Sequence, residues 1–111
     1  MVYAKTKLFD KELQECAEYF KALAHPARLQ ILQYLAKAKT CITGDISEEL
    51  PLSRTTVNQH LSELKRVGLI KGMVDGVKTN YCLNPQKVEE LKKITKVFLS
   101  GIEVDNNLKC Q

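Results

Sequence analysis

The chain has 111 residues, of which 44% are hydrophobic and 27% are charged, and its formal net charge is +4. This length fits one small domain with a single core. No apolar segment approaches the roughly 20 residues that a membrane-spanning helix needs, and the first residues lack the apolar stretch of a signal peptide. We therefore expect a soluble, cytoplasmic protein that makes no contact with a membrane.

The positive charge is concentrated in the second half of the chain. Residues 1–51 contain seven basic and seven acidic side chains, whereas residues 52–111 contain ten basic and six acidic ones. Such an imbalance favours a polyanion partner for the second half, although a net charge of this size is also common in proteins that bind no nucleic acid.

Three helices are predicted in the first half. The first runs from about Asp10 to Leu23, and Pro26 suits the first position of a second helix to about Lys37, because its missing N–H is not needed there. A short third helix is predicted from Thr43 or Gly44 to Leu50, with Ile46 and Leu50 facing inward. The apolar stripe of the first helix comprises Leu13, Cys16, Ala17 and Phe20.

The fourth predicted helix has the most informative pattern in the chain. Ser53 is suited to capping its N-terminus, and Gly68 is placed to end it in a left-handed conformation. One face is apolar, and the other carries short polar or forked side chains that can bond base edges and phosphates in a major groove. A polar helix face is more often only a solvated surface, so the neighbouring elements must decide between that interpretation and DNA binding. The apolar face comprises Val57, Leu61 and Leu64.

The elements around this helix favour DNA binding. A tight turn at Pro51 and Leu52 joins the third and fourth helices, as in a helix-turn-helix. Residues 69–74 and 77–83 alternate as strands, and Asp75-Gly76 between them is a strong hairpin signal. A last helix is predicted from Pro85 to about Gly101. The fold class is therefore mostly α with a small β-hairpin, a winged helix-turn-helix of order α-α-α-α-β-β-α, in which residues 1–102 form one domain and residues 103–111 a flexible tail.

Three segments in register make the chain resemble the ArsR/SmtB family of winged-helix transcriptional repressors. FKALAHPARLQIL at residues 20–32 resembles the family's second-helix signature, residues 53–64 resemble its recognition helix, and residues 67–70 resemble the turn into the wing. The resemblance implies a homodimer that binds double-stranded DNA. Its two recognition helices would enter successive major grooves of an imperfectly palindromic operator.

The resemblance also implies roles for individual residues. Lys65 is assigned to phosphates or to the helix C-terminus, and Lys78 to a phosphate or minor-groove contact from the wing. For His60 a half-buried packing position is an equal alternative to a DNA contact. The assigned helix contacts are Ser53, Arg54, Thr55, Thr56, Asn58, Gln59 and His60. The assigned dimer interface is Leu13, Phe20, Leu91 and Phe98, with packing inside their own domain as the alternative.

Neither of the family's common metal sites can be assembled from this sequence. The two cysteines expected just before Asp45 fall on Ile42 and Gly44, and residues 85–102 contain no histidine. We predict no zinc site and no cofactor. The four dispersed cysteines indicate reduced thiols rather than a disulfide framework. Cys16 is interpreted as a core thiol, and the candidate thiol sensor for a metalloid or an oxidant comprises Cys41, Cys82 and Cys110.

The leading hypothesis is a sequence-specific DNA-binding repressor whose release could depend on a thiol-reactive or metalloid effector. No catalytic constellation occurs in the sequence, so we do not expect an enzyme. One alternative is a winged-helix protein-interaction module without DNA binding, for which an apolar or acidic outer helix face would be expected. A second is a thiol-based metalloid buffer, which would need clustered cysteines.

Overall fold

The computed structural model describes residues 8–38, 41–43, 46, 50–76 and 78–107. Within these residues the chain forms the predicted winged helix-turn-helix fold, with four α-helices and a three-stranded antiparallel sheet whose first strand was not predicted. The elements are α1 (Lys11–Leu23), α2 (Pro26–Ala38), β1 (Ile42–Thr43), α3 (Arg54–Arg66), β2 (Ile70–Asp75), β3 (Lys78–Leu83) and α4 (Pro85–Ser100). None of the described helices is long and apolar enough to cross a membrane.

The predicted third helix needs a correction at its start. Thr43 lies in strand β1 and pairs with Asn80 of β3, so no helix begins there. Ile46 and Leu50 are buried, which confirms that they face inward. The other residues of this predicted helix, 44, 45 and 47–49, lie outside the described residues.

The sheet has the strand order β1-β3-β2. The register of the wing hairpin runs from Ile70 opposite Leu83 to Asp75 opposite Lys78, so two residues, Gly76 and Val77, connect its strands. Gly76 has φ 65°, a left-handed conformation that glycine adopts at little cost. The predicted hairpin is confirmed, with Asp75 in the strand rather than in the turn.

The core lies where α3 packs against α2 and the root of the wing. Val57, Leu61 and Leu64 are all buried there, which confirms the apolar face predicted for this helix. Complete burial of such a side chain contributes about 1.5–3 kcal/mol relative to leaving it exposed. The other buried members of this cluster are Tyr19, Ile31, Leu35, Ile46, Leu50, Leu69 and Ile70.

Helix α1 buries a face that matches the predicted stripe only at Cys16. Its buried residues are Cys16, Tyr19 and Ala22, whereas Leu13 is 49% exposed and Phe20 is half-buried. The stripe prediction passed over Tyr19, whose ring packs in the core like an aliphatic side chain. As a result, α1 has a second apolar face that its own core leaves uncovered.

Helix α4 lies across α1 without burying any of its residues completely. Leu91 packs partly against the core cluster. The rings of Phe20 and Phe98 meet edge to face, with centroids 5.7 Å apart. Val97 and Leu99, near the end of the helix, are 59% and 57% exposed. Part of the contact area of Phe20, Leu91 and Phe98 thus lies within the chain, while other apolar side chains of α4 remain exposed.

Candidate nucleic-acid interface

The N-terminus of α3 is organised by the predicted cap. The hydroxyl oxygen of Ser53 accepts a hydrogen bond from the Thr56 backbone N–H at 3.3 Å, and the hydroxyl groups of these two residues are 3.0 Å apart. Both side chains therefore stabilise the first turn. The unpaired N–H groups of that turn give the helix end a partial positive charge, which favours a nearby anion such as phosphate.

The exposed face of α3 brings together four of the predicted contact residues. Arg54, Thr55, Asn58 and Gln59 are all exposed, whereas Val57 between them is buried. A guanidinium fork and two amides offer several donors and acceptors within two helical turns. Groups of this kind can make paired hydrogen bonds with purine edges in a major groove.

The assignment of His60 to DNA contact is corrected by its burial. Only 7% of this residue is exposed, and its Nδ1 accepts a hydrogen bond from Arg28 Nε at 3.1 Å. Its ring lies against that of His25, with centroids 4.2 Å apart. Burial lowers the pKa of His60, and the neighbouring His25 and Arg28 lower it further. His60 is therefore buried beneath the exposed face of α3, as in the half-buried alternative that the sequence left open.

The C-terminal end of α3 is tied to its neighbours. The ammonium group of Lys65 reaches the wing, where it lies beside Gly72. A Cβ atom built on Gly72 would be 3.3 Å from Lys65 Nζ. Arg66 makes ion pairs with Glu18 of α1 at 2.7 Å and with Glu63 at 3.2 Å. Hydrogen bonds to these two carboxylates raise the pKa of Arg66. Such exposed pairs contribute only about 0–1 kcal/mol each.

The wing presents a mixed surface. Lys78 is the first residue of β3, but its side chain lies outside the part of the structure that is described. On β2, Lys71 is exposed, and Met73 and Val74 are 51% and 77% exposed. Sequence reasoning missed Lys71, although alternation along β2 could have identified it.

Two of the candidate sensor cysteines form a disulfide. Cys41 and Cys82 are bonded, with their Cα atoms 4.4 Å apart, because Ile42 pairs with Tyr81 and brings the preceding and following residues side by side. The prediction of reduced thiols is therefore wrong for this pair. Cys16 is a buried free thiol, as predicted, and Cys110 lies outside the described residues. No group of three or more potential metal ligands occurs in the described part of the chain.

Comparison with known proteins identifies the family. Residues 23–72 match the family model of a helix-turn-helix domain. The transcriptional repressor PagR of Bacillus anthracis is 34% identical over 93 residues, which cover 84% of this chain and 93% of PagR. The chain belongs to the ArsR/SmtB family. As an ArsR/SmtB member, it is a DNA-binding transcriptional repressor, and a protein-interaction module without DNA binding is not favoured.

Two further matches extend the ArsR/SmtB comparison over most of the chain. A cadmium resistance transcriptional regulatory protein CadC homolog of Staphylococcus aureus is 30% identical over 101 residues, 91% of this chain and 82% of that protein. The structure of an ArsR-like transcriptional regulator from Rhodococcus sp. RHA1 matches with a TM-score of 0.64 and 23% identity, covering 78% of this chain and 81% of that one. The structural match supports the same fold.

Proposed function

We propose that the protein acts in the cytoplasm as a homodimeric repressor that inserts α3 of each protomer into successive major grooves of a palindromic operator. The observation that carries this proposal is the exposed face of α3, where Arg54, Thr55, Asn58 and Gln59 stand together at the positive end of the helix. An apolar or acidic face at this position would instead have favoured a protein partner.

The chemistry of these side chains suggests a division of roles. Arg54 can bond O6 and N7 of guanine with its fork, and the amides of Asn58 and Gln59 match N6 and N7 of adenine. Thr55, together with the capping residues Ser53 and Thr56, suits phosphate contacts near the helix N-terminus. Lys65 and Lys78 supply positive charge on the wing side, where a contact to phosphate carries no sequence information.

The DNA roles can be tested with a duplex selected from a random library by the wild-type protein and with a scrambled duplex of equal length. Arg54→Ala and Asn58→Ala should each weaken binding to the selected duplex by about 1–3 kcal/mol. Lys78→Ala should weaken binding to both duplexes and reduce the salt dependence by about one ion. Gln33→Ala removes an exposed amide from α2 and serves as the control. Equal losses on both duplexes for Asn58→Ala would refute base readout by that residue.

The uncovered apolar surface on α1 and α4 supports the homodimer. A 16-residue helix without a buried residue is uncommon in a small monomer, because an amphipathic helix gains most of its stability by burying one face. Leu13, Val97, Leu99 and Ile102 are all about half exposed or more. We propose that a second copy of the chain covers them.

Sedimentation at micromolar concentration tests the dimer. Leu99→Glu should give a monomer that binds the selected duplex much more weakly, because a monomer can contact only one of the two half-sites. Leu29→Glu places the same charge on an exposed leucine of α2 and should leave the dimer intact. A wild-type protein that sediments as a monomer would contradict the two-half-site arrangement.

We propose that the Cys41–Cys82 pair is the effector site. A small dithiol can reduce the disulfide by exchange, which leaves two cysteine thiols in the protein and the reductant as its own disulfide. Two adjacent thiolates then suit a soft ion such as As(III). A related protein, the CadC homolog of Staphylococcus aureus, is named for cadmium resistance, and cadmium, like As(III), is a soft ion that favours thiolate ligands.

Arsenite added to the reduced protein–DNA complex should therefore release DNA, whereas zinc should release little. Cys41→Ser should abolish the response to arsenite. Cys16→Ser, which alters a buried thiol outside the pair, should retain it. An unchanged arsenite response in the Cys41→Ser protein would refute the assignment.

A further inference from the structure

We propose that Arg28 and His60 are positioning residues, which hold the exposed face of α3 at the angle that operator binding requires. This inference rests on the proposed role of α3 in DNA recognition. Neither residue belongs to the exposed face itself. Their effect on binding would pass through the orientation of the helix.

The Arg28 guanidinium joins three helices. Arg28 lies on α2, and its Nη1 donates to the backbone carbonyls of Lys21 and Ala22 at 3.2 and 3.3 Å. These carbonyls belong to the last turn of α1, the end at which the helix dipole carries a partial negative charge. The Nε group of the same side chain donates to His60 on α3. The rigid, planar guanidinium therefore fixes the distance between the end of α1 and the middle of α3.

The hydrogen bond from Arg28 determines which ring nitrogen of His60 carries the proton. Because Nδ1 accepts from Arg28, the neutral ring must carry its proton on Nε2. That buried nitrogen has no hydrogen-bond partner among the described residues. A buried donor without a hydrogen-bond partner carries an energetic cost. An aliphatic side chain would fill the same space without this cost, so packing alone does not account for a histidine here.

The second histidine supports the arrangement from the side of α2. Nδ1 of His25 accepts a hydrogen bond from the Ala27 backbone N–H at 3.0 Å and so caps the start of α2. The ring of His25 lies against that of His60. His25 therefore contacts both the first turn of α2, which carries Arg28, and the ring of His60.

The location of His60 explains why this contact should affect DNA binding. Asn58 and Gln59 directly precede it in the same helical turn. A rotation of α3 about His60 would move both amides, and binding groups need placement within about 0.5 Å and 10–20°. Another polar contact between α3 and α1, the ion pair of Arg66 with Glu18, is exposed. Water screens such a pair, so it offers little resistance to the rotation.

Two substitutions of His60 separate positioning from packing. His60→Leu keeps an apolar bulk but removes the acceptor, and it should weaken binding to the selected duplex by about tenfold or more, a loss typical of one broken coupling. His60→Gln keeps an acceptor for Arg28 and should bind within about threefold of wild type. Binding to the scrambled duplex and the helical circular dichroism signal should stay unchanged in both. Arg66→Gln, which cuts the exposed tie, is the control and should have little effect.

The following outcomes test the positioning roles of Arg28 and His60 separately from the proposed function. A folded His60→Leu protein that binds the selected duplex like wild type would overturn it, and so would a His60→Gln protein as weak as His60→Leu. If His60→Leu does not fold, Arg28→Lys gives the answer. It keeps a cation near the α1 carbonyls but lacks Nε, and it should again lose about tenfold, whereas wild-type binding would overturn the inference. Failure of the proposed function would differ, since the wild-type protein would then select no duplex.

Discussion

Reduction of the Cys41–Cys82 disulfide should lower the free energy of unfolding by about 4 kcal/mol. The two cysteines are separated by 41 residues in sequence, and their bond restricts the unfolded chain. In the chain-entropy model a loop of this length loses about 13 cal/mol/K, or about 4 kcal/mol at 25 °C. That is a large share of the roughly 5–15 kcal/mol that stabilises a typical domain. The oxidised and reduced proteins should therefore differ clearly in stability.

Urea denaturation with and without a phosphine reductant measures this difference. For slopes of about 1–3 kcal/mol/M, the midpoint should fall by roughly 1–4 M on reduction. The protein concentration must be held constant, because the stability of a dimer depends on it. The double variant Cys41→Ser, Cys82→Ser should be insensitive to the reductant, whereas Cys16→Ser should keep the full shift. A fully reduced wild-type protein with an unchanged midpoint would refute the loop-closure argument.

Three further predictions concern stability. Leu64→Ala removes a completely buried side chain of α3 and should lower the free energy of unfolding by about 2–5 kcal/mol; a loss under about 1 kcal/mol in urea titrations would contradict its place in the core. Gly68→Ala should lower the free energy of unfolding by about 1–2 kcal/mol, because φ is 83° at this position. The loss should be slightly larger than for Gly76→Ala, since the new Cβ at Gly68 would lie 3.3 Å from the side chain of Lys87, whereas a Cβ at Gly76 would meet nothing within 4 Å. The pKa of His60 is lowered from 6.5, so the unfolded chain binds its proton more readily and stability should fall as the pH drops below about 6.5. Denaturation midpoints at several pH values should show a smaller decline for His60→Gln, and an equal decline in both proteins would exclude His60 as the source.

The recognition helix could be predicted from the sequence because its determinants are local. Ser53 caps its first turn, its apolar residues recur at helical spacing, and Gly68 ends it. The backbone N–H groups of Gly68 and Leu69 donate to the carbonyls of Lys65 and Leu64, the bonding pattern of a Schellman motif. All of these signals lie within 17 consecutive residues, from position 53 to position 69.

The features that escaped prediction depend on contacts between distant parts of the chain. Strand β1 has only two residues, too few for a periodic pattern, yet its pairing with β3 places Cys41 beside Cys82. The contact between Arg28 and His60 spans 32 positions, and helical spacing allowed both a buried and an exposed His60. Spacing along the sequence describes faces of single elements, and it does not show which faces meet.

The short connection between α3 and the wing has a consequence for how the protein would measure its operator. Only residues 67–69 separate the two elements, and Leu69 and Ile70 are buried. The carbonyl of Leu69 also accepts from the backbone N–H of Asn84 at 2.9 Å, which attaches the far end of the hairpin to the same point. Helix α3 and the hairpin are therefore held at a fixed distance and orientation. A half-site whose groove width does not fit this spacing must itself be bent or compressed. Because stiff and flexible DNA sequences differ in the energy of this deformation, they would differ in affinity even at base pairs that no side chain touches.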